Sequence, residues 1–218
     1  MPVSFWNPVL LSLQTAAAAL IFVTIFGVII ARVMARRSFK GKIFIETILL
    51  LPTVLPPTVI GFLLIIAFGT NGFLGRVINF LFQSLVMFTW TAAVIAAFVV
   101  AFPFMYQSVK TGLQQVEVDI EHAARLDGAG EWKLFFFVSL PLCIRSVVSG
   151  VILSFARALG EFGATFMFAG NLPGITQTIP IAVYTAFEGG RMEIAWAWVL
   201  VIVALSFLML FSVRRFAA

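Results

Sequence analysis

Five of the nine acidic side chains in this sequence, Glu117, Asp119, Glu121, Asp127 and Glu131, fall between Lys110 and Leu140. Arg125 and Lys133 stand among them. Elsewhere the chain is overwhelmingly apolar. Of its 218 residues 62% are hydrophobic and 11% charged, and its mean hydropathy is +1.11. Soluble domains carry about 25% charged residues, so the chain reads as a polytopic membrane protein. A bilayer core cannot hold the charge of residues 110–140, so this polar island must sit in water. The length admits about five or six spanning helices and little else. The expectation is one all-α domain, residues 1–218.

Residues 1–31 carry no charge, and Val9–Ala31 is long enough to cross a bilayer. A cleavable secretory signal carries its positive charge before the apolar run. Here Arg32, Arg36, Arg37, Lys40 and Lys42 follow it, so the first span is read as retained, with its N-terminus outside. Further spans are expected at about Ile43–Phe68, within Val86–Val109, and at about Leu142–Phe168 and Ile194–Val213. On this topology eleven Lys and Arg side chains share the side of the first loop, the island and Arg214 and Arg215. Two, Arg76 and Arg191, lie on the other side. Positive residues gather on the cytoplasmic side, which makes the island and the C-terminus cytoplasmic. Residues 163–187 include Asn171, Pro173, Gly174, Gln177 and Pro180 and are poor spanning material. They read as a helix end with an external loop, or as a re-entrant or broken sixth helix. Trp6, Trp90, Trp196 and Trp198 fall near outer span ends, as an interfacial belt requires.

Within the island, Val116, Ile120, Ala123 and Ala124 share one face of a helix. Gly128 suits the positive φ that ends a helix, so two short helices bent at that residue are expected. Leu140-Pro141 then restarts the chain, since proline suits a first helical turn. Such a knob docks a soluble partner or lies on the lipid surface. Its acids, which anionic lipid repels, favour docking.

Several chemistries find no support. Gly41-Lys42 lacks the preceding glycine of a phosphate-binding loop and is followed by Ile43. A single cysteine, Cys143, excludes an intrachain disulfide and reads as a buried thiol. A single histidine, His122, excludes a multi-histidine metal site. Neither a Ser-His-Asp arrangement nor a carboxylate pair is present, so no catalytic residue and no enzyme activity are assigned. The net charge of +5 is scattered along the chain, with no basic helix face for nucleic acid.

Arg157 and Glu161 lie four apart on the expected fourth span, hence on one face. At about 1.5 Å per residue they lie about 22 and 28 Å from Leu142. In a core about 30 Å thick that is the outer half. Ionisable groups at such depth face a bundle interior or a water cavity. Either the pair locks helices together or snorkels to the outer interface, or it forms an outer gate where Arg157 meets an anion and Glu161 holds the anion off when the gate is closed. Gly160 and Gly163 permit close helix approach. Pro52, Pro56 and Pro57 interrupt the second span and kink it, as a hinge or as a static bend.

The stretch Glu121-His-Ala-Ala-Arg-Leu-Asp-Gly128, followed twelve residues later by Leu140-Pro141, resembles the signature loop of binding-protein-dependent ABC import permeases. That pattern is Glu-Ala-Ala, three residues, Gly, then a later Leu-Pro. Ala123, Ala124, Gly128, Leu140 and Pro141 match it, with Asp127 inside the loop. His122 stands where the family usually has glutamate, and Glu121 comes one residue early. Leu51-Pro-Thr-Val-Leu-Pro-Pro-Thr-Val-Ile-Gly61, Ala156-Arg-Ala-Leu-Gly-Glu-Phe-Gly-Ala164 and Ala169-Gly-Asn-Leu-Pro-Gly174 are similar to the molybdate permeases. Related sulfate permeases typically carry tyrosine where Phe162 stands.

The resemblance implies a homodimer in the cytoplasmic membrane that encloses a translocation path. Each cytoplasmic loop would seat in a groove of a separate ATPase subunit, which holds ATP and Mg. An external binding protein would deliver molybdate or, in the same machine, tungstate or sulfate. A secondary carrier would need more ionisable residues deep in its spans. A non-transporting anchor would need no broken second helix. No regulatory domain is expected after Arg215.

Overall fold

The computed structural model describes residues 5–83 and 85–217; the side chains of Phe82 and of residues 212–217, Arg214 and Arg215 among them, lie outside that description. Every regular element among the described residues is helical. The first half comprises α1 (Trp6–Arg36), α2 (Lys42–Leu50) with a 3₁₀ turn Leu51–Thr53, α3 (Pro57–Phe68), α4 (Phe73–Phe82) and α5 (Trp90–Gln115). The polar segment follows as α6 (Val118–Leu126), α7 (Glu131–Leu134), a π turn Phe135–Ser139 and α8 (Leu140–Leu142). The remaining elements are α9 (Ile144–Leu159), α10 (Gly163–Ala169), α11 (Ile179–Glu188) and α12 (Met192–Ala217).

Helix α5 is the hub. Its small and medium side chains pack against α1, where Ala16, Ala19 and Val23 are fully buried with Met105, Tyr106 and Val109. Ala158 and Leu159 of α9 close the same core. Small residues let helix backbones approach in lipid, where no hydrophobic drive exists between helices. A second core joins α3, α5 and α10 through Ile60, Leu64, Ala96 and Phe168. A third joins the start of α1 to α11 and α12 through Val9, Ile179, Ala182 and Trp198. The outward faces of α1 (Phe22, Ile25, Ile29) and α12 (Leu200, Val203, Phe207) are exposed apolar stripes, as lipid contact requires.

Helices α1, α5 and α12 are each long and apolar enough to cross a membrane. They also begin at one end of the molecule. The indole of Trp90 donates to Thr15 Oγ1 at 3.1 Å, and that of Trp198 donates to the Phe5 carbonyl at 3.0 Å. Arg32, Arg36 and Lys110 thereby fall at the opposite end. Trp90 and Trp198 thus lie toward one end, and Arg32, Arg36 and Lys110 toward the other.

Three expected elements differ. The second span is not one kinked helix: α2 with its 3₁₀ turn and α3 meet at 115°. Pro56 and Pro57 lack N–H donors and hold Pro56 extended at φ −54°, ψ 136°, so α3 restarts with Pro57 as its first residue. The fourth span, expected over Leu142–Phe168, ends at Leu159, and α10 is a separate short helix. The island restarts later than Leu140-Pro141, because α8 spans only three residues and the chain bends by 75° before α9. The region 163–187 takes the broken form. Helices α10 and α11 are too short to cross the core of about 30 Å. The turn between them is exposed at residues 172–175, while Thr176, Gln177 and Thr178 are buried and the Ile179 N–H donates to Ser12 Oγ at 2.7 Å.

Helix α4 has no counterpart among the expected elements. Phe73, Leu74, Val77, Phe80 and Leu81 recur at helical spacing and remain exposed, which is the pattern of an interfacial helix. The period is visible in the sequence, but the segment is too short to register as a span.

Candidate functional site

The polar segment is a small helical knob at the basic end. Helix α5 runs on through Lys110 to Gln115, so Val116 ends that helix in an extended conformation and does not share the α6 face. Acids Asp119 and Glu121 occupy the first turn of α6 and Arg125 the last, which complements the helix dipole. Its C-terminus is closed by Gly128 at φ +84°. The Gly128 N–H donates to the Arg125 carbonyl and the Ala129 N–H to the Ala124 carbonyl, both at 3.0 Å. This pair of bonds is a Schellman cap, and it makes the expected bend at Gly128.

Glu121 is the keystone. It is 4% exposed. Its Oε1 accepts Arg36 Nη2 at 2.8 Å, Arg36 Nε at 3.2 Å and Ser139 Oγ at 2.9 Å. Arg125 approaches its other oxygen at 3.9 Å. Arg36 Nη2 also donates to the Val116 carbonyl at 3.0 Å. One carboxylate therefore ties the last turn of α1, the end of α5, α6 and the π turn together. The π turn is what aims Ser139 at Glu121; such bulges are frequent at functional sites.

A second anchor lies one turn back on α1. Arg32 Nη2 donates to the Glu131 carbonyl at 2.5 Å. Its guanidinium lies 4.8 Å from the Trp132 ring centre and 4.5 Å from that of Phe135, within cation–π range. Arg125 Nε donates to Glu131 Oε1 at 2.9 Å across the bend. That hydrogen bond holds the Glu131 carboxyl below the usual carboxylate range and raises Arg125 above its ordinary value.

The outer surface of the knob is exposed. His122, Ala123, Asp127 and Gly128 are exposed, Ala124 is half-buried, and Leu126 is 89% exposed. Leu126 escapes the sequence pattern because it falls off the Ile120–Ala123–Ala124 face. Leu140 packs against the core and Pro141 is exposed.

At the far end of α9 the expected gate residues meet. Arg157 Nη1 and Glu161 Oε2 lie 2.6 Å apart, and Glu161 is 2% exposed. They do not share one helix: α9 ends at Leu159, and Glu161 Oε1 accepts the Ala164 N–H of α10 at 2.8 Å. Glu161 thus joins two helices. Phe162 stacks on Phe166 and lies against Tyr184, with ring centres 5.5 and 5.4 Å apart. Gly163 sits where a Cβ would meet Pro57 Cβ at 3.0 Å, so α10 abuts the start of α3. Gly160 makes no such approach; a Cβ there would meet only the Ala156 carbonyl of its own helix, at 3.6 Å. Pro52, in the 3₁₀ turn, and Pro56 are at the α2–α3 bend.

The putative molybdenum transport system permease protein YvgM of Bacillus subtilis is 56% identical over 211 residues, 97% of this chain and 93% of that protein. The molybdenum transport system permease protein ModB of Escherichia coli K12 is 44% identical over 183 residues, 84% and 80% of the two chains. Among solved structures, a bacterial ABC transporter that imports the acidic polysaccharide alginate superposes with a TM-score of 0.76. The match is 13% identical over 97% of this chain and 78% of that one, which shows a shared fold. A family model described as binding-protein-dependent transport system inner membrane component matches residues 10–218, and the chain belongs to that family.

Proposed function

We propose that this chain is the membrane subunit of an ATP-driven molybdate importer of the cytoplasmic membrane. Two copies enclose the path, an external binding protein delivers the oxyanion, and ATPase subunits that hold ATP and Mg dock on α6 and α7. The N-terminus lies outside and the knob inside, a reading supported by the basic residues Arg32, Arg36 and Lys110 at the knob's end. The observation that carries the substrate is the relationship along nearly the whole chain to proteins named as molybdenum permeases.

The knob supports the coupling role. Its exposed residues His122, Ala123, Leu126 and Asp127 offer a surface to a partner. Glu121 instead faces inward, where Arg36 holds it, and Arg32 holds the Glu131 carbonyl. The two arginines thereby fasten the knob to α1. Closure of the ATPases around ATP then moves α6 and α7, and the two anchors carry the motion into α1 while the π turn carries it into α9. At the opposite end the Arg157–Glu161 pair and the Gly163–Pro57 contact form the outer gate. The cycle is a switch between two states biased by differential binding, with no covalent step in this chain.

The test is ATP hydrolysis by the complex of this chain, its ATPase and its binding protein in proteoliposomes. Binding protein loaded with molybdate is expected to stimulate hydrolysis, and binding protein offered sulfate is not. Stimulation by sulfate alone would overturn the substrate assignment. Hydrolysis indifferent to every oxyanion would overturn the importer itself.

A further inference from the structure

An open groove of about 660 Å³, with Leu50, Pro103, Phe104 and Leu153 among its apolar walls, lies between α5, α9 and the end of α2 and is used neither by the knob nor by the gate. Helix α5 lines it with Gln107, Ser108, Thr111 and Gln115, and α9 lines it with Arg145 and Ser149. The α5 positions recur at helical spacing and form one stripe. The opposite side of the same helix carries Tyr106, Val109 and Leu113, buried in the core. A stripe of amides and hydroxyls on a helix this apolar is unfavourable against lipid. It belongs on a water-filled passage.

The charge of the groove is as informative as its polarity. No carboxylate lines it among the described residues. Arg145 forms no ion pair among the described residues, and Glu46 is engaged by Lys110 at 2.8 Å. Arg157, the cation that the sequence singled out to meet an anion, is instead held by Glu161 at 2.6 Å. Ser108 donates its hydroxyl hydrogen to the Ser146 carbonyl at 2.7 Å. Gln107, Thr111, Gln115 and Ser149 remain as donors beside the one cation.

We propose that this groove is a transient anion site of the translocation path, in which Arg145 supplies the charge and Gln107, Thr111, Gln115 and Ser149 the hydrogen bonds to a tetrahedral, doubly charged oxyanion. The assignment rests on the importer reading above. A transport site must bind well enough to admit an ion and weakly enough to release it. One arginine among neutral donors meets both demands, whereas several cations would trap a dianion.

The sole cysteine, Cys143, is buried, and its replacement, Cys143→Ser, gives a background for a single introduced thiol. Thr111→Cys in that background is placed in the complete complex in proteoliposomes. Its rates of reaction with an anionic and a cationic methanethiosulfonate are measured with and without molybdate. Molybdate is expected to slow both reagents at least about threefold, and Arg145→Gln to remove that protection and lower the anionic-to-cationic rate ratio about tenfold. Gln107→Cys gives the same readout if Thr111→Cys does not assemble. Rates unmoved by molybdate and by Arg145→Gln, in a complex that still accumulates molybdate, overturn the site alone. Absence of uptake of any oxyanion by the parent complex overturns the importer reading and the site with it.

Discussion

Arg36 and Glu121 stand 85 residues apart in the chain and share an ion pair of 2.8 Å. Glu121 is buried and also accepts the Ser139 hydroxyl, and Arg36 also donates to the Val116 carbonyl. Removing Glu121 strands Arg36; because the Arg36 side chain is 29% exposed, the cost is less than the roughly 3–5 kcal/mol of a fully buried pair. Glu121→Ala is therefore expected to lower the unfolding temperature of the detergent-solubilised chain. The buried Cys143 thiol reports it, since its labelling marks unfolding. Glu121→Met with Arg36→Met should lose less than the sum of the two single changes. A Glu121→Ala chain as stable as the parent would refute the keystone role.

The exposed face of the knob predicts the reverse behaviour. Leu126 is 89% exposed and has little to lose within this chain. Leu126→Asp is expected to leave the unfolding temperature unchanged and to weaken capture of the ATPase about tenfold or more, as a central contact of an interface does. Ala123→Trp should act likewise by filling the space of a close approach. Normal ATPase capture by both variants would place the interface elsewhere.

These two residues also show what the sequence could disclose. The motif announced a knob bent at Gly128, and the knob is there, because a Schellman cap is a local device set by one glycine. The division of labour within the motif was not legible. Glu121 and Leu126 are close neighbours in the chain, and only the path of α1 decides which of them is covered. The same holds for Glu161. Its pairing with Arg157 was foreseen from spacing, but the end of α9 at Leu159 was not, because Glu161 caps the next helix and so competes with continuation of its own. The break at Pro56-Pro57 was legible as an interruption. Its angle of 115° depends on where α3 finds α10, which no local pattern records.

The Arg125–Glu131 contact predicts a pH response. Arg125 depresses the folded-state pKa of Glu131, so the contact stabilises the knob above the unfolded pKa of the carboxyl. That contribution is lost as pH falls through the depressed folded value. Backbone hydrogen exchange at α6 and α7, corrected for its intrinsic pH dependence, should therefore rise in acid, below the ordinary carboxylate value of 4.5. In Glu131→Gln that acid-induced increment should disappear. Because the side chains are largely exposed, solvent screens the pair and the effect is small. An identical acid response in Glu131→Gln would assign the loosening to other carboxylates.

Arg157→Ala leaves Glu161 buried and without its cation. The gate is then expected to leak or to stay open, so that molybdate accumulated per ATP hydrolysed falls while hydrolysis continues. Glu161→Gln, which keeps a group able to accept the Ala164 N–H, should disturb folding less than Glu161→Ala. An unchanged ratio of uptake to hydrolysis in Arg157→Ala would reduce the pair to a structural clamp.

The central claim is import of molybdate driven by ATP, and its most direct measurement is uptake of labelled molybdate into proteoliposomes holding this chain, its ATPase and its binding protein. The account predicts accumulation that requires ATP, is blocked by tungstate and is spared by sulfate. A verified, intact complex that takes up no oxyanion with ATP would contradict it.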